Sequence, residues 1–321
     1  MTTIEVNDLY ISYGEKIAVG GISFTANSGE VLTILGPNGA GKTSTVEALE
    51  GYKKPSKGTI RILGLDPHKD LPKLTPSIGV MLQNGGIYPR MTPIQALNLF
   101  HGYYRDPLPV EELIETMNLK SALKTPYRRL SGGEKQRLSL ALAIIGKPKV
   151  VFLDEPTAGV DPEGRLAIRE VIRNLRSNGA CVLLTTHELD EAQRLSDRLI
   201  ILDSGNIVAE GSLAELIGTT QGEDLRFSAP SGIDTNELQK AIGAEISEER
   251  AGEYLIASPA TPQLIAKLTS YMASKNITVG DIRAGKASLE DVFFKLTGKS
   301  IPQQTDTADH TSRQSRRRRT R

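Results

Sequence analysis

The stretch "EVLTILGPNGAGKTSTVEALEG", residues 30–51, decides how this chain is read. Its first part is a continuous apolar run, as expected of a strand covered on both faces. The glycine-rich turn that follows, Gly36 to Thr43, matches G-x-x-x-x-G-K-[ST] in full, and "KTSTVEALEG" has a helical pattern. Strand, turn and helix in that order form a phosphate cradle, because unpaired backbone N–H groups and the positive helix end face one point. Gly36, Pro37, Asn38, Gly39, Ala40, Gly41, Lys42, Thr43 and Ser44 make up the expected cradle. Lys42 is expected to neutralise phosphate oxygens and Thr43 to hold Mg²⁺.

Outward from that stretch, short β-rich runs alternate with helical ones, which predicts an α/β core with a mainly parallel sheet. "KVVFLD" (149–154) and "ACVLLTT" (180–186) read as further buried strands, with helices expected at 162–177 and 188–195. "TIEVNDLYISY" and "GISFTANSGE" alternate more and predict an antiparallel β subdomain; 198–211 predicts a hairpin around Ser204-Gly205. Residues 92–146 are helical in pattern and read as a helical insert. A boundary is expected near 218–224, giving a first domain over 1–217 and a small α+β domain over 218–299. In the latter, "DLRFSAP", "YLIASP" and "ITVGDIR" predict strands, and 234–242, 262–275 and 288–298 helices. Residues 300–321 are polar and Arg-rich and are expected to be disordered.

Composition narrows the class. The chain has 321 residues, 39% hydrophobic and 24% charged, enough to bury a real core. Its one cysteine, Cys181, lies in an apolar run and is expected in a reduced core. No apolar run approaches the roughly 18–20 residues of a membrane helix, and the N-terminus lacks a secretion pattern. Work at a membrane would therefore require a partner. Net charge is +1, with the basic excess concentrated after residue 300, so no specific nucleic-acid partner is expected.

Several further residues suit phosphoryl transfer. Asp154 ends a buried strand, where it can bind Mg²⁺, and Glu155 directly after can polarise an attacking water. His187 follows the strand at 180–186 and can hydrogen-bond a γ-phosphate. Gln83, after the apolar "SIGVML", is a candidate for Mg²⁺ and the attacking water. Tyr13 is a candidate for stacking on adenine. A second anion-binding pattern lies at "LSGGEKQR" (130–137), where a serine and two glycines open a helix.

Together these motifs resemble the ATP-binding subunits of ABC transporters over residues 1 to about 217. The resemblance identifies Gly36–Thr43 with the Walker A loop, Val150–Asp154 with Walker B and Glu155 with the catalytic carboxylate. It makes Gln83 the Q-loop residue, His187 the switch histidine and Tyr13 the adenine-stacking aromatic. Two such domains pair head to tail in that family, which implies a homodimer binding ATP and Mg²⁺. Ser131, Gly132, Gly133 and Glu134 would then close over nucleotide held by the neighbour, with Asp161 of "GVD" (159–161) crossing the interface. Val160 stands where relatives usually carry Leu, and Gly85-Gly86 where they often carry larger or acidic residues.

A separate integral membrane permease is the implied partner, placing the chain in the cytoplasm, peripheral to the inner face of the bacterial membrane. "ASLEDVFFKLTG" (287–298) resembles the ending of drug-resistance exporters of the daunorubicin-exporter type, with drug, lipid or polysaccharide cargo. In pattern, Leu289, Val292, Phe293 and Leu296 form one apolar helix face. The alternatives are an importer ATPase, whose motor chemistry is shared, and a soluble ABC ATPase of DNA repair or translation. Against the latter stand the short segment between Gln83 and Ser131, the single set of motifs and the non-basic body.

Overall fold

The computed structural model describes residues 2–81, 86–218, 224–284 and 288–298. Gln83, Gly85, the boundary at 219–223 and the Arg-rich tail lie outside the described residues. The chain begins with β1 (Thr2–Tyr13), β2 (Lys16–Asn27), β3 (Val31–Leu35), α1 (Lys42–Leu49), β4 (Lys57–Ile62), α2 (Leu71–Leu74) and β5 (Ile78–Met81). The helical insert supplies α3 (Pro93–His101), α4 (Val110–Thr116) and α5 (Gly132–Ile144). There follow β6 (Val150–Asp154), α6 (Pro162–Ser177), β7 (Cys181–Thr186), α7 (Leu189–Leu195), β8 (Arg198–Asp203), β9 (Asn206–Gly211) and α8 (Leu213–Gly218). The last part contains β10 (Asp224–Ser228), α9 (Thr235–Ile242), β11 (Ile246–Arg250), β12 (Glu253–Pro259), α10 (Pro262–Ser274), β13 (Ile282–Ala284) and α11 (Leu289–Thr297).

The central sheet has the order β5-β6-β7-β3-β8-β9, parallel except for the β8–β9 hairpin. Alternation along its strands explains how both faces are covered. On one face Val151, Leu153, Val182 and Leu184 pack with α3, α4, α5 and α6 in a single apolar cluster. On the other, Val150, Phe152, Cys181 and Leu183 pack with α1 and the antiparallel sheet β2-β1-β4. Cys181 is fully buried, as expected of a core residue. Strand order brings the C-terminal ends of β3, β6 and β7 side by side, the usual ligand crevice of such sheets.

The third sheet, β11-β12-β10-β13, is antiparallel and carries its own apolar cluster around Leu225, Phe227, Tyr254 and Leu268. One sequence expectation is corrected here: of "ITVGDIR" (277–283) only Ile282 and Arg283 are strand, within Ile282–Ala284. "ISEER", for which no strand was expected, forms β11. Pairing with Tyr254, Leu255 and Ile256 of β12 sustains β11, so tertiary partners override local pattern.

Helix α11 does not pack with that third sheet's core. Leu289, Val292 and Phe293 are buried against Leu35, Ala192, Leu199, Ile201 and Leu216 of the larger body. Leu296, expected on the same face, is 42% exposed. The polar side of α11 faces the small sheet: Asp291 pairs with Arg226. The helix thus ties the two parts together.

Candidate functional site

The cradle is built by the end of β3. Gly36 is pressed so closely on β8 that a Cβ there would sit 2.3 Å from the Leu202 carbonyl oxygen. Gly41, the residue before α1, has φ 106°, and a Cβ would meet the Ala18 carbonyl oxygen at 2.6 Å. Only glycine satisfies both demands. A cavity of about 630 Å³ opens beside the loop, lined by Tyr13, Asn38, Gly39, Gly41, Lys42, Thr43, Ser44 and Glu155 among others. Gly36, Pro37 and Ala40 are not among its lining residues; Ala40 is buried.

Lys42 opens α1 and is 5% exposed. Its Nζ donates to the carbonyl oxygens of Gly36 (2.8 Å) and Pro37 (3.2 Å), closing the loop on itself. Burial lowers its pKa, while the nearby Glu155 and Asp154 carboxylates pull the other way. A buried cation in a glycine-rich loop at the start of a helix is a site suited to an anion, so the residues present fit a nucleotide phosphate.

Asp154 ends β6 and is 5% exposed. One of its carboxylate oxygens accepts a bond from the Thr185 hydroxyl on β7; the other lies 3.4 Å from Thr43 Oγ1. A hydroxyl and a carboxylate oxygen converging beside the cradle form the hard oxygen donor set that Mg²⁺ takes. Glu155, at φ 48°, adopts the left-handed backbone that non-glycine residues seldom occupy. Its N–H is 3.2 Å from both the carbonyl and hydroxyl oxygens of Thr185, and its Oε1 is 2.8 Å from His187 Nδ1. The two strand-end residues expected to act together are therefore in contact.

Tyr13 is 46% exposed at the cavity mouth. Its hydroxyl lies 3.3 Å from Ser44 Oγ and donates to Glu47 at 3.2 Å, and the Lys53 ammonium sits 3.9 Å from its ring centroid. One aromatic face thus carries a cation already.

Ser131 and its neighbours stand elsewhere: none of Ser131, Gly132, Gly133 and Glu134 lines the cavity. Ser131 caps α5, accepting from the Glu134 N–H at 3.2 Å, while its own N–H donates to Glu134 Oε2 at 2.7 Å. Asp161 caps α6 through the Gly164 N–H at 3.2 Å and lies 3.4 Å from Arg137. The Gly164 bond, with Arg137 beside it, holds the Asp161 carboxyl below its usual pKa. Two residues at the site escaped the sequence reading. Thr185 holds both acids, and Gln136 Nε2 donates to the Glu155 carbonyl at 3.1 Å. Gln136 lies within the "LSGGEKQR" already singled out; nothing local marks its partner.

A cation-closed loop at a strand end, with an acid–histidine pair on the adjoining strands, defines the chain as a P-loop nucleotide hydrolase. The chain belongs to the ABC transporter family, as an ATP-binding ATPase of that family. Residues 19–158 match the family described as ABC transporter. Over 93% of its length the chain is 35% identical to the Nod factor export ATP-binding protein I of Ralstonia nicotianae, covering 94% of that protein. It is 33% identical to the daunorubicin resistance ATP-binding protein DrrA3 of Streptomyces coeruleorubidus, covering 92% of this chain and 96% of that one. Among solved structures, an ATP-binding subunit of an ABC transporter aligns with a TM-score of 0.62 at 27% identity. That alignment covers 68% of this chain and 92% of the other. The ADP conformation of an ATP-binding cassette of an ABC transporter aligns at 0.57 and 26% identity, covering 67% and 92%.

Proposed function

We propose that this chain is the ATP-hydrolysing subunit of an exporter, working as a homodimer coupled to a separate integral membrane permease. The carrying observation is a split: Gly39, Gly41, Lys42, Thr43 and Glu155 line one cavity, with His187 in contact with Glu155, whereas none of Ser131–Glu134 lines it and Ser131 and Gly132 are exposed. A second copy placed head to tail would supply Ser131, Gly132, Gly133, Glu134 and Asp161 to the first copy's nucleotide. Export is favoured by likeness to export and drug-resistance ATP-binding proteins along nearly the whole chain. Among the described residues no helix is long and apolar enough to cross a membrane, so the proposed membrane attachment runs through the permease.

In this reading Gly39, Ala40, Gly41 and Lys42 hold the β- and γ-phosphates through N–H groups and the ammonium. Thr43 and Asp154, with Gln83, would hold Mg²⁺, which supplies charge neutralisation at the phosphates. Glu155 orients the attacking water and draws off its proton; His187 fixes the Glu155 carboxylate through Nδ1 and hydrogen-bonds the γ-phosphate side of the site with its other ring nitrogen. Tyr13 offers its remaining face to adenine. Hydrolysis separates the subunits and resets the permease.

The test is copurification of the tagged chain with its membrane partner, followed by ATPase assay with candidate cargoes. A stable complex whose turnover rises with cargo supports the reading. A chain that never associates with a membrane protein and hydrolyses ATP at full rate as a monomer overturns it.

A further inference from the structure

We propose that Gln136 is a positioning residue for Glu155 of its own chain, so that helix α5 serves both composite sites at once. The inference rests on the head-to-tail reading above and adds a connection within each subunit. The first turn of α5, beginning at Ser131, is the part assigned to the neighbour's nucleotide. Gln136 lies one turn further along the same rigid rod, roughly 7–8 Å on from Ser131 at 1.5 Å per residue. From there its Nε2 reaches the Glu155 carbonyl oxygen at 3.1 Å.

That carbonyl is a sensitive point of contact. Glu155 is held at φ 48°, a conformation that costs a non-glycine residue free energy and persists only where surroundings over-determine it. The surroundings are visible on three sides. Thr185 binds the Glu155 N–H, His187 binds the carboxylate, and Gln136 binds the carbonyl. Thr185 lies near the end of β7 and His187 directly follows that strand, so both are tied to the central sheet. Gln136 alone of the three comes from α5, the helix that rises from the helical insert. The same carbonyl also accepts from the Ala158 N–H at 3.1 Å within its own loop, so Gln136 is the contact through which α5 bears on the peptide after Glu155. Arg137, next on the helix, reaches Asp161 at 3.4 Å and joins α5 to the loop that continues from Glu155. A tilt of α5 as its first turn meets the neighbour's nucleotide would thus reach the carboxylate that acts on the subunit's own nucleotide.

The experiment uses mixed dimers in which one subunit carries Glu155→Gln, leaving one hydrolytic site whose Glu155 comes from the other subunit. Gln136→Leu is added to either subunit and single-turnover ATP hydrolysis is measured at saturating ATP. We expect a loss of about tenfold when Gln136→Leu accompanies the intact Glu155, at least about fivefold greater than when it sits in the Glu155→Gln subunit. ATP affinity should stay within about threefold in both, separating positioning from binding. Equal losses, or a greater loss from the opposite placement, overturn the proposal. Should Gln136→Leu fail to fold, Gln136→Glu keeps the shape, lacks the donor and carries the same comparison. Gln136→Lys retains a donor and should recover most of the lost rate; no recovery counts against the hydrogen bond. Failure of the head-to-tail reading would show separately, as mixed dimers that do not assemble on ATP.

Discussion

His187 Nδ1 and Glu155 Oε1 are 2.8 Å apart, although 32 positions separate them in the chain. The contact pins the carboxylate over the cradle and leaves the far imidazole nitrogen for another partner. His187→Ala should therefore lower ATP turnover by about 10–100-fold while ATP affinity changes little, as expected for a group acting mainly in the transition state. Steady-state ATPase assays paired with a nucleotide-binding titration decide it; a rise in KM with normal kcat would count against the role.

Glu155→Gln keeps the shape and the hydrogen bond to His187 but cannot take a proton. Turnover is expected to fall by about 10²–10⁴-fold, with ATP now holding two subunits together. Size-exclusion chromatography with light scattering should show an ATP-dependent dimer that persists. Near-normal turnover would remove Glu155 from its assigned place.

Lys42 and Gly41 test the cradle by different means. Lys42→Ala removes the buried cation and should weaken ATP binding by about tenfold or more, consistent with a charge-assisted bond of about 1.5–3 kcal/mol. Gly41→Ala brings a Cβ against the Ala18 carbonyl at a φ of 106°. That substitution should both destabilise the fold, by about 1–3 kcal/mol, and distort the loop. Calorimetric titration with ATP and thermal unfolding separate the two effects.

Glu50 follows α1 and is 6% exposed. Burial, then Asp154, then Glu47 push its pKa from 4.5 up to about 8. Below pH 4.5 the carboxyl is protonated in both folded and unfolded chains. Between 4.5 and 8 the unfolded chain gives up a proton that the folded chain keeps, so stability falls as pH rises. Glu50→Gln should thus stabilise the nucleotide-free protein by on the order of 1–3 kcal/mol near pH 8, with the gain vanishing toward pH 4. Urea unfolding across that range checks the slope; a gain independent of pH would rule the titration out.

Phe293 is 1% exposed and lies in the seam between α11 and the larger body. Phe293→Ala should cost about 3–5 kcal/mol, whereas Leu296→Ala, at an exposed position, should be nearly neutral. Chemical denaturation of both variants would show whether α11 is a structural tie.

Much of the site was legible in sequence because its signals are local. Gly36 to Thr43 is one turn between a strand and a helix, and Asp154-Glu155 follows one apolar run, so spacing alone announces both. The central strands were equally plain, since burial on both faces demands unbroken apolar runs. Strand β11 was not, because its "ISEER" is made stable by β12 and carries little pattern of its own. Leu296 followed the helical period of its neighbours yet points to solvent, since only three of the four apolar positions meet the larger body.

Residue types and their spacing pointed to a nucleotide-phosphate cradle, because one turn of eight residues carries the glycines, Lys42 and Thr43 that such a cradle uses. Contacts across the sheet were settled only by folding. Strand order β6-β7-β3 brings Asp154, Thr185 and the cradle together, and α5 returns Gln136 to Glu155 from 19 positions away. No local period encodes such meetings: they arise when apolar faces choose their neighbours, and the polar groups at the strand ends meet as a consequence.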